Sequence, residues 1–169
     1  MGLFLILLAA GDSTRLKSKI PKPFHIVNDK TLLEHSFNAF KDLHKIKRTV
    51  IVYNKKHKKY LNKLNLKRTL KIIGGKTRQE STFIALKKIK KMNCKKVLIH
   101  DSARPNPSKD LINKIIYNLV NNHAVVPVIK INDATKRVEK NVIFKNIQRN
   151  SLRFSQTPQG FTFRKIYEK

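Results

Sequence analysis

An α/β fold, a doubly wound sheet covered by helices on both faces, is what this sequence predicts, and three observations predict it. Leu3 to Leu8 is an unbroken apolar run of strand length, the pattern of a strand buried on both faces. Further apolar and β-branched segments alternate with stretches of helical periodicity, as a parallel sheet with crossover helices requires. Small-residue and glycine turns follow the strands, where ligands of doubly wound sheets bind. The expected arrangement is a Rossmann-like single domain over residues 1–169, with a polar β-arm projecting at residues 133–150.

The first strand is too short to cross a membrane, and no basic residue precedes it. It therefore reads as a strand and not a signal peptide, and the protein as cytoplasmic. Thr31 and Glu34 form a capping-box pattern ahead of Leu33, Phe37 and Phe40, which predicts a helix near 31–43. Thr49–Tyr53 is a β-branched run suited to a second strand, and the lysine-rich 55–68 reads as a solvated helix and loop. Leu70–Ile73 is a short strand ending on Gly74-Gly75. Thr77 and Glu80 repeat the capping-box pattern before a helix carrying Phe83, Leu86 and Ile89. Val97–His100 is the next strand. Ser108 then caps a helix with Leu111, Ile112, Ile115, Ile116 and Leu119 on one stripe, and Ala124–Ile129 reads as another buried strand. From Lys136 to Gln148 polar and apolar residues alternate around a turn at Lys140-Asn141, and an extended piece follows. Such a polar hairpin has little core of its own to bury; the residues allow a docking arm or a flexible loop.

At 169 residues the chain is long enough for a core without staples. A single cysteine, Cys94, excludes a disulfide framework and a Cys-rich zinc site, and fits a reducing compartment. The net charge of +28 comes from 38 Lys and Arg against 10 Asp and Glu. It is mostly lysine spread along the chain, without a helix-turn-helix, zinc-finger or RNP-type motif, so salt-sensitive polyanion binding is expected but no specific nucleic-acid partner. No membrane partner is expected either. No His, Cys and carboxylate grouping has metal-ligand spacing, and His100 reads as a packing residue at a strand end.

The chemistry concentrates after the first strand. Ala9, Ala10 and Gly11 are small enough for backbone amides to meet a ligand directly. Arg15 and Lys22 add two cations on the same loop, and the Ile20-Pro21 step keeps the second on extended backbone. The loop is neither a P-loop nor a G-x-G-x-x-G turn. Two cations converging on a phosphate chain suit phosphoryl or nucleotidyl transfer; in so basic a chain, a chance pair beside an ordinary strand turn is the alternative.

The pattern AAG-x-x-x-R followed by PK is similar to the signature of sugar-nucleotide and polyol-phosphate nucleotidyltransferases. Four further stretches follow: GGKTRQES at 74–81, VLIHDSARP at 97–105, DATKR at 133–137 and QRNSLRFSQTPQGF at 148–161. In this order they resemble the 2-C-methyl-D-erythritol 4-phosphate cytidylyltransferase family from the first strand to the last residue, with HDSARP and TPQ-x-F the most specific. The resemblance implies a nucleotidyltransferase sheet and transfer from CTP to that polyol phosphate in non-mevalonate isoprenoid biosynthesis. Ala9, Ala10, Gly11, Gly75 and Ser81 would contact CTP, and Arg15 and Lys22 would stabilise the α-phosphate. Asp101, Arg104, Thr135, Arg149 and Thr157 would hold the acceptor, Arg149 acting on the partner's site of a homodimer joined through the arm. Mg²⁺ would ride on the triphosphate with few or no protein ligands. Without the resemblance, Asp101 can be read as a turn or cap residue, and Arg104 and Arg149 as surface charges.

Three departures from the family pattern stand out. Ser13 replaces a frequent glycine, which is expected to tighten the loop. Ala134 replaces a threonine, moving the hydroxyl to Thr135. The family also continues beyond TPQ-x-F to a third catalytic lysine, so a C-terminally truncated domain is expected, either a fragment of a longer enzyme or a truncated protein of impaired activity. A ribitol 5-phosphate cytidylyltransferase and an inactive basic binding module on the same scaffold are the other readings.

Overall fold

The structure, a computed structural model, describes residues 2–13, 16 and 18–168; Arg15 lies outside the described residues. The chain begins with β1 (Leu3–Ala9), and a small hairpin of β2 (Ile26–Val27) and β3 (Lys30–Thr31) leads to α1 (Leu32–Lys41). Then follow β4 (Ile46–Tyr53), α2 (Lys58–Leu61), β5 (Thr69–Ile73), α3 (Arg78–Ile89), β6 (Lys96–Asp101) and α4 (Lys109–Asn118). Next come β7 (Ala124–Val125), β8 (Val128–Lys130), β9 (Thr135–Glu139) and β10 (Val142–Ile147), and finally β11 (Arg153–Ser155), β12 (Gln159–Thr162) and α5 (Phe163–Tyr167).

One sheet runs in the order β5-β4-β1-β6-β12-β7. Strands β5, β4, β1 and β6 are parallel, and β12 is antiparallel to both β6 and β7. Side chains alternate across a strand, and β1 shows the consequence. Leu3, Leu5, Leu7 and Ala9 meet Leu33 and Phe40 of α1 and Ile112, Ile115 and Ile116 of α4. Phe4 and Ile6 meet Ala85, Leu86 and Ile89 of α3 and Phe163 of α5. Both faces are dry, so the whole run has to be apolar. From β1 the chain winds outward to β4 and β5, then crosses back to lay β6 on the other side of β1. That reversal opens a crevice beyond the carboxyl ends of β1 and β6.

The first capping box is complete: the Glu34 amide donates to Thr31 Oγ1 at 3.2 Å and the Thr31 amide to Glu34 Oε2 at 2.8 Å. At α3 the box is only half formed. Thr77 Oγ1 accepts from the Glu80 amide at 3.0 Å, but Glu80 Oε2 accepts from the Lys76 amide at 2.7 Å. Phe83 is also half exposed, stacked on Tyr167 at the rim of the core instead of within it.

Two expected elements change. Within 55–68 the only α-helix is the one-turn α2, and Leu61 and Leu66 from this stretch enter the core. The expected buried strand 124–129 is two short strands instead. Pro127 has no amide to offer a ladder, so β7 stays on the sheet edge while β8 departs to pair with β11, leaving Val128 and Ile129 exposed. The polar hairpin forms as β9 and β10, with Lys140 and Asn141 both at positive φ, 47° and 65°, the twist a two-residue type I′ turn needs. No helix among the described residues is long and apolar enough to cross a membrane. Thr31→Ala is expected to lower the unfolding free energy by about 1 kcal/mol in a urea titration; an unchanged midpoint would contradict the capping box.

Candidate functional site

Three turns at the carboxyl ends of β1, β5 and β6 enclose a cleft of about 860 Å³. Ala10, Gly11 and Lys22 line it from the first turn, Gly75, Lys76 and Arg78 from the second, and Asp101 and Arg104 from the third. Four cations against one carboxylate, among the described lining residues, give the cleft a net positive field suited to a polyanion.

In the first turn the Ala9 side chain is buried in the core, so Ala10 and Gly11 are the small residues that reach the cleft. Ser13 sits at φ 54°, a left-handed conformation that a glycine adopts freely and serine less so. Its hydroxyl accepts from the Lys22 amide at 2.8 Å, which ties residue 13 to residue 22 and holds Lys22 at the cleft wall. Asp12 Oδ1 accepts from Asn54 Nδ2 at 2.8 Å, anchoring the same loop to the end of β4.

The second turn is crowded. A Cβ on Gly74 would lie 2.7 Å from Ser81 Oγ, 2.8 Å from Ala10 Cβ and 2.9 Å from Val52 Cγ1. Ser81 is buried: its oxygen accepts from the Gly75 amide at 3.1 Å and its hydroxyl faces the Gly75 carbonyl at 3.3 Å. Ser81 therefore shapes the glycine turn and also lines the cleft.

The third turn is bolted to the end of β1. The Ser102 hydroxyl donates to the Leu8 carbonyl at 2.7 Å, and the buried Ser36 hydroxyl of α1 donates to the Ser102 carbonyl at 2.8 Å. His100 is fully buried. Its Nε2 lies 2.8 Å from the Arg104 carbonyl, which can only accept, so Nε2 carries the proton. That leaves Nδ1 to accept from the Thr157 hydroxyl at 3.0 Å, while the Thr157 oxygen accepts from the Asp101 amide at 3.4 Å. Burial pushes the His100 pKa down to about 4, so the ring is neutral near pH 7. It packs as expected and also fixes the turn.

Asp101 stands between two arginines. Arg78 Nε donates to Oδ1 at 3.0 Å, and Arg104 Nε lies 3.6 Å from Oδ2. Arg78 also donates to Gln159 Oε1 at 3.4 Å, and Arg104 to Gln156 Oε1. The cleft residues Lys76 and Arg78 were not singled out from sequence; the signal was two cations between a glycine pair and a helix start in GGKTRQES. Thr135 and Arg149 do not reach the cleft in the single chain. Thr135 opens β9, where its hydroxyl faces the Asp133 carbonyl at 3.4 Å, and Arg149 donates to the Asn132 carbonyl near the foot of the arm.

A family model described as "IspD: 2-C-methyl-D-erythritol 4-phosphate cytidylyltransferase" matches residues 3–169. The "Bifunctional enzyme IspD/IspF" of Pelagibacter ubique is 44% identical over 99% of this chain and 45% of its own length. The 2-C-methyl-D-erythritol 4-phosphate cytidylyltransferase of Wigglesworthia glossinidia brevipalpis is 36% identical over 96% of this chain and 71% of its own. Among solved structures, the bifunctional IspDF of Campylobacter jejuni superposes with a TM-score of 0.85 at 29% identity, covering 99% of this chain and 42% of that one. The chain thus spans less than half the length of the bifunctional relatives.

Two outcomes test this construction. Gly74→Ala is expected to lower stability by roughly 1–3 kcal/mol, the scale of core overpacking, in a urea titration; an unchanged midpoint would contradict the crowding at this turn. Because the folded-state pKa of His100 is depressed, the unfolded chain binds its proton between pH 6.5 and about 4 and the folded chain does not, so stability falls as pH falls through that window. The loss attributable to His100 approaches about 3 kcal/mol when complete. His100→Asn should flatten the pH dependence of urea stability there; an unchanged slope would contradict the neutral buried ring.

Proposed function

The chain belongs to the 2-C-methyl-D-erythritol 4-phosphate cytidylyltransferase family, and on that premise we propose that its cleft transfers a cytidylyl group from CTP to 2-C-methyl-D-erythritol 4-phosphate, releasing pyrophosphate. The observation that carries the reading is a net cationic cleft, made of three hydrogen-bonded turns, at the sheet's reversal point. The product is 4-diphosphocytidyl-2-C-methyl-D-erythritol, an intermediate of non-mevalonate isoprenoid precursor synthesis.

CTP lies over the backbone of Ala10, Gly11 and Gly75 and beside Ser81, while Ala9 supports the first turn from the core side. A phosphate oxygen of the acceptor attacks the α-phosphorus, the new P–O bond forms as the bond to the β-phosphate bridge breaks, and pyrophosphate leaves. Lys22 and Arg15 stabilise the charge on the phosphoryl oxygens during that exchange. No general base is needed, because a phosphate monoester is already anionic near neutral pH. Asp101 accepts from polyol hydroxyls, Arg104 pairs with the acceptor phosphate, and Thr157 holds the Asp101 backbone. Asp101, the one carboxylate among the described lining residues, is paired with arginines, so the hard oxygen donors that suit Mg²⁺ are those of the triphosphate. When bound there, the ion neutralises phosphate charge.

We read the working unit as a cytoplasmic homodimer in which the arm brings Arg149 and Thr135 to the partner's cleft. Val138, Val142, Ile143 and Phe144 on the arm are all more than half exposed, an apolar surface in need of cover. The test is pyrophosphate release with CTP and Mg²⁺, offered methylerythritol phosphate or ribitol 5-phosphate, using this chain alone and joined to the C-terminal portion of a relative. Turnover with methylerythritol phosphate, cut by at least about 100-fold in Lys22→Ala, is expected. Turnover only with ribitol 5-phosphate would overturn the acceptor assignment, and none with either would overturn the enzyme reading.

A further inference from the structure

Arg78, like Lys76, is a cleft cation without a role in the reaction as described above, and its position is unusual. It opens α3 directly behind the glycine turn, yet its guanidinium crosses to the third turn, bonding Asp101 at 3.0 Å and Gln159 at 3.4 Å. Asp101 lies closer to Arg78 than to Arg104, 3.0 Å against 3.6 Å. A carboxylate flanked by two guanidinium groups pairs most strongly with the one that comes within hydrogen-bond distance. Here that is Arg78, which bonds Asp101 through Nε and is steadied by Gln159 from β12, while Gln156 steadies Arg104.

We propose that Arg78 is a positioning residue that holds Asp101 away from Arg104 and so keeps the Arg104 guanidinium available to the acceptor phosphate. This rests on the assignment of Asp101 and Arg104 to the acceptor. Without Arg78, the Asp101 carboxylate has Arg104 as its remaining charged partner among the described residues, three residues along on the same turn. The tightened pair neutralises the charge that the phosphate has to find and turns the carboxylate away from the polyol hydroxyls. Both losses fall on the acceptor and neither on CTP. Lysine at position 78 would keep the charge but supply a single compact donor in place of the planar fork, so it should restore the effect only in part.

The experiment is a double-mutant cycle on steady-state kinetics with Arg78→Ala, Arg78→Lys, Asp101→Asn and the Arg78→Ala/Asp101→Asn pair, using CTP, Mg²⁺ and methylerythritol phosphate. Arg78→Ala should raise KM for the polyol phosphate by about tenfold, the scale of one charge-assisted hydrogen bond, and leave KM for CTP within about twofold. Arg78→Lys should fall between. In the Asp101→Asn background, Arg78→Ala should add little, because the carboxylate that would capture Arg104 is already gone. Additive losses, or an equal rise in KM for CTP, would overturn the role given to Arg78 and leave the proposed reaction standing. No turnover in the unmodified protein would overturn the reaction itself, and the acceptor role of Arg78 with it. The pairing has its own readout in the NMR signal of the Arg78 Nε–H. Slow solvent exchange that becomes fast in Asp101→Asn supports the pair, and fast exchange in both proteins contradicts it.

Discussion

The structure depends on one constraint: β1 is buried on both faces, so none of its side chains can be polar. Leu3, Leu5 and Leu7 serve one core and Phe4 and Ile6 the other, and the strand offers a ligand only what lies at its end. The chemistry is therefore displaced to turns, and turns have to be held by something other than a sheet ladder. Small buried hydroxyls do this. Ser102 bonds the Leu8 carbonyl near the end of β1, Ser81 cradles Gly75, and Ser36 reaches from α1 to the Ser102 carbonyl. Each satisfies backbone groups that would otherwise be costly to bury.

A division between neutral frame and charged mouth follows. His100 and Thr157 lie inside, uncharged near pH 7, and fix the backbone of Asp101 and Arg104. Lys22, Lys76, Arg78 and Arg104 stand at the cleft wall, where their charge remains solvated. Preorganised charge of this kind acts on a reacting phosphoryl group without having to reorganise at the moment of transfer. The high net charge of the chain is spread much more widely than this cleft; what distinguishes the cleft is that rigid turns aim its cations at one volume.

Local signals carried much of the fold into the sequence. The apolar run of β1, the Thr31–Glu34 box, the α4 stripe and the Lys140-Asn141 turn each depend on residues a few positions apart, and all four formed. Pro127 was visible too, yet its consequence, a strand that breaks and changes sheets, depends on β11 being available as a new partner. Glu80 turns to the Lys76 amide, which the glycine turn brings within 2.7 Å of its carboxylate. Among the site residues, Ala10, Gly11, Gly75, Ser81, Lys22, Asp101 and Arg104 line the cleft, while Ala9 and Thr157 act from behind it. Arg78 was illegible because its meaning comes from β6 and β12, far away in sequence. Thr135 and Arg149 make only local contacts on the arm, outside the cleft of the single chain.

Whether the crevice at the reversal point of the sheet is the nucleotide site can be read from a CTP titration followed by backbone amide NMR. At physiological salt, where non-specific polyanion contacts weaken, saturable shifts centred on Ala10, Gly11, Gly75 and Lys76 are expected, with UTP and ATP weaker. Shifts spread over the lysine-rich surfaces, fading as salt rises and indifferent to the base, would contradict that assignment.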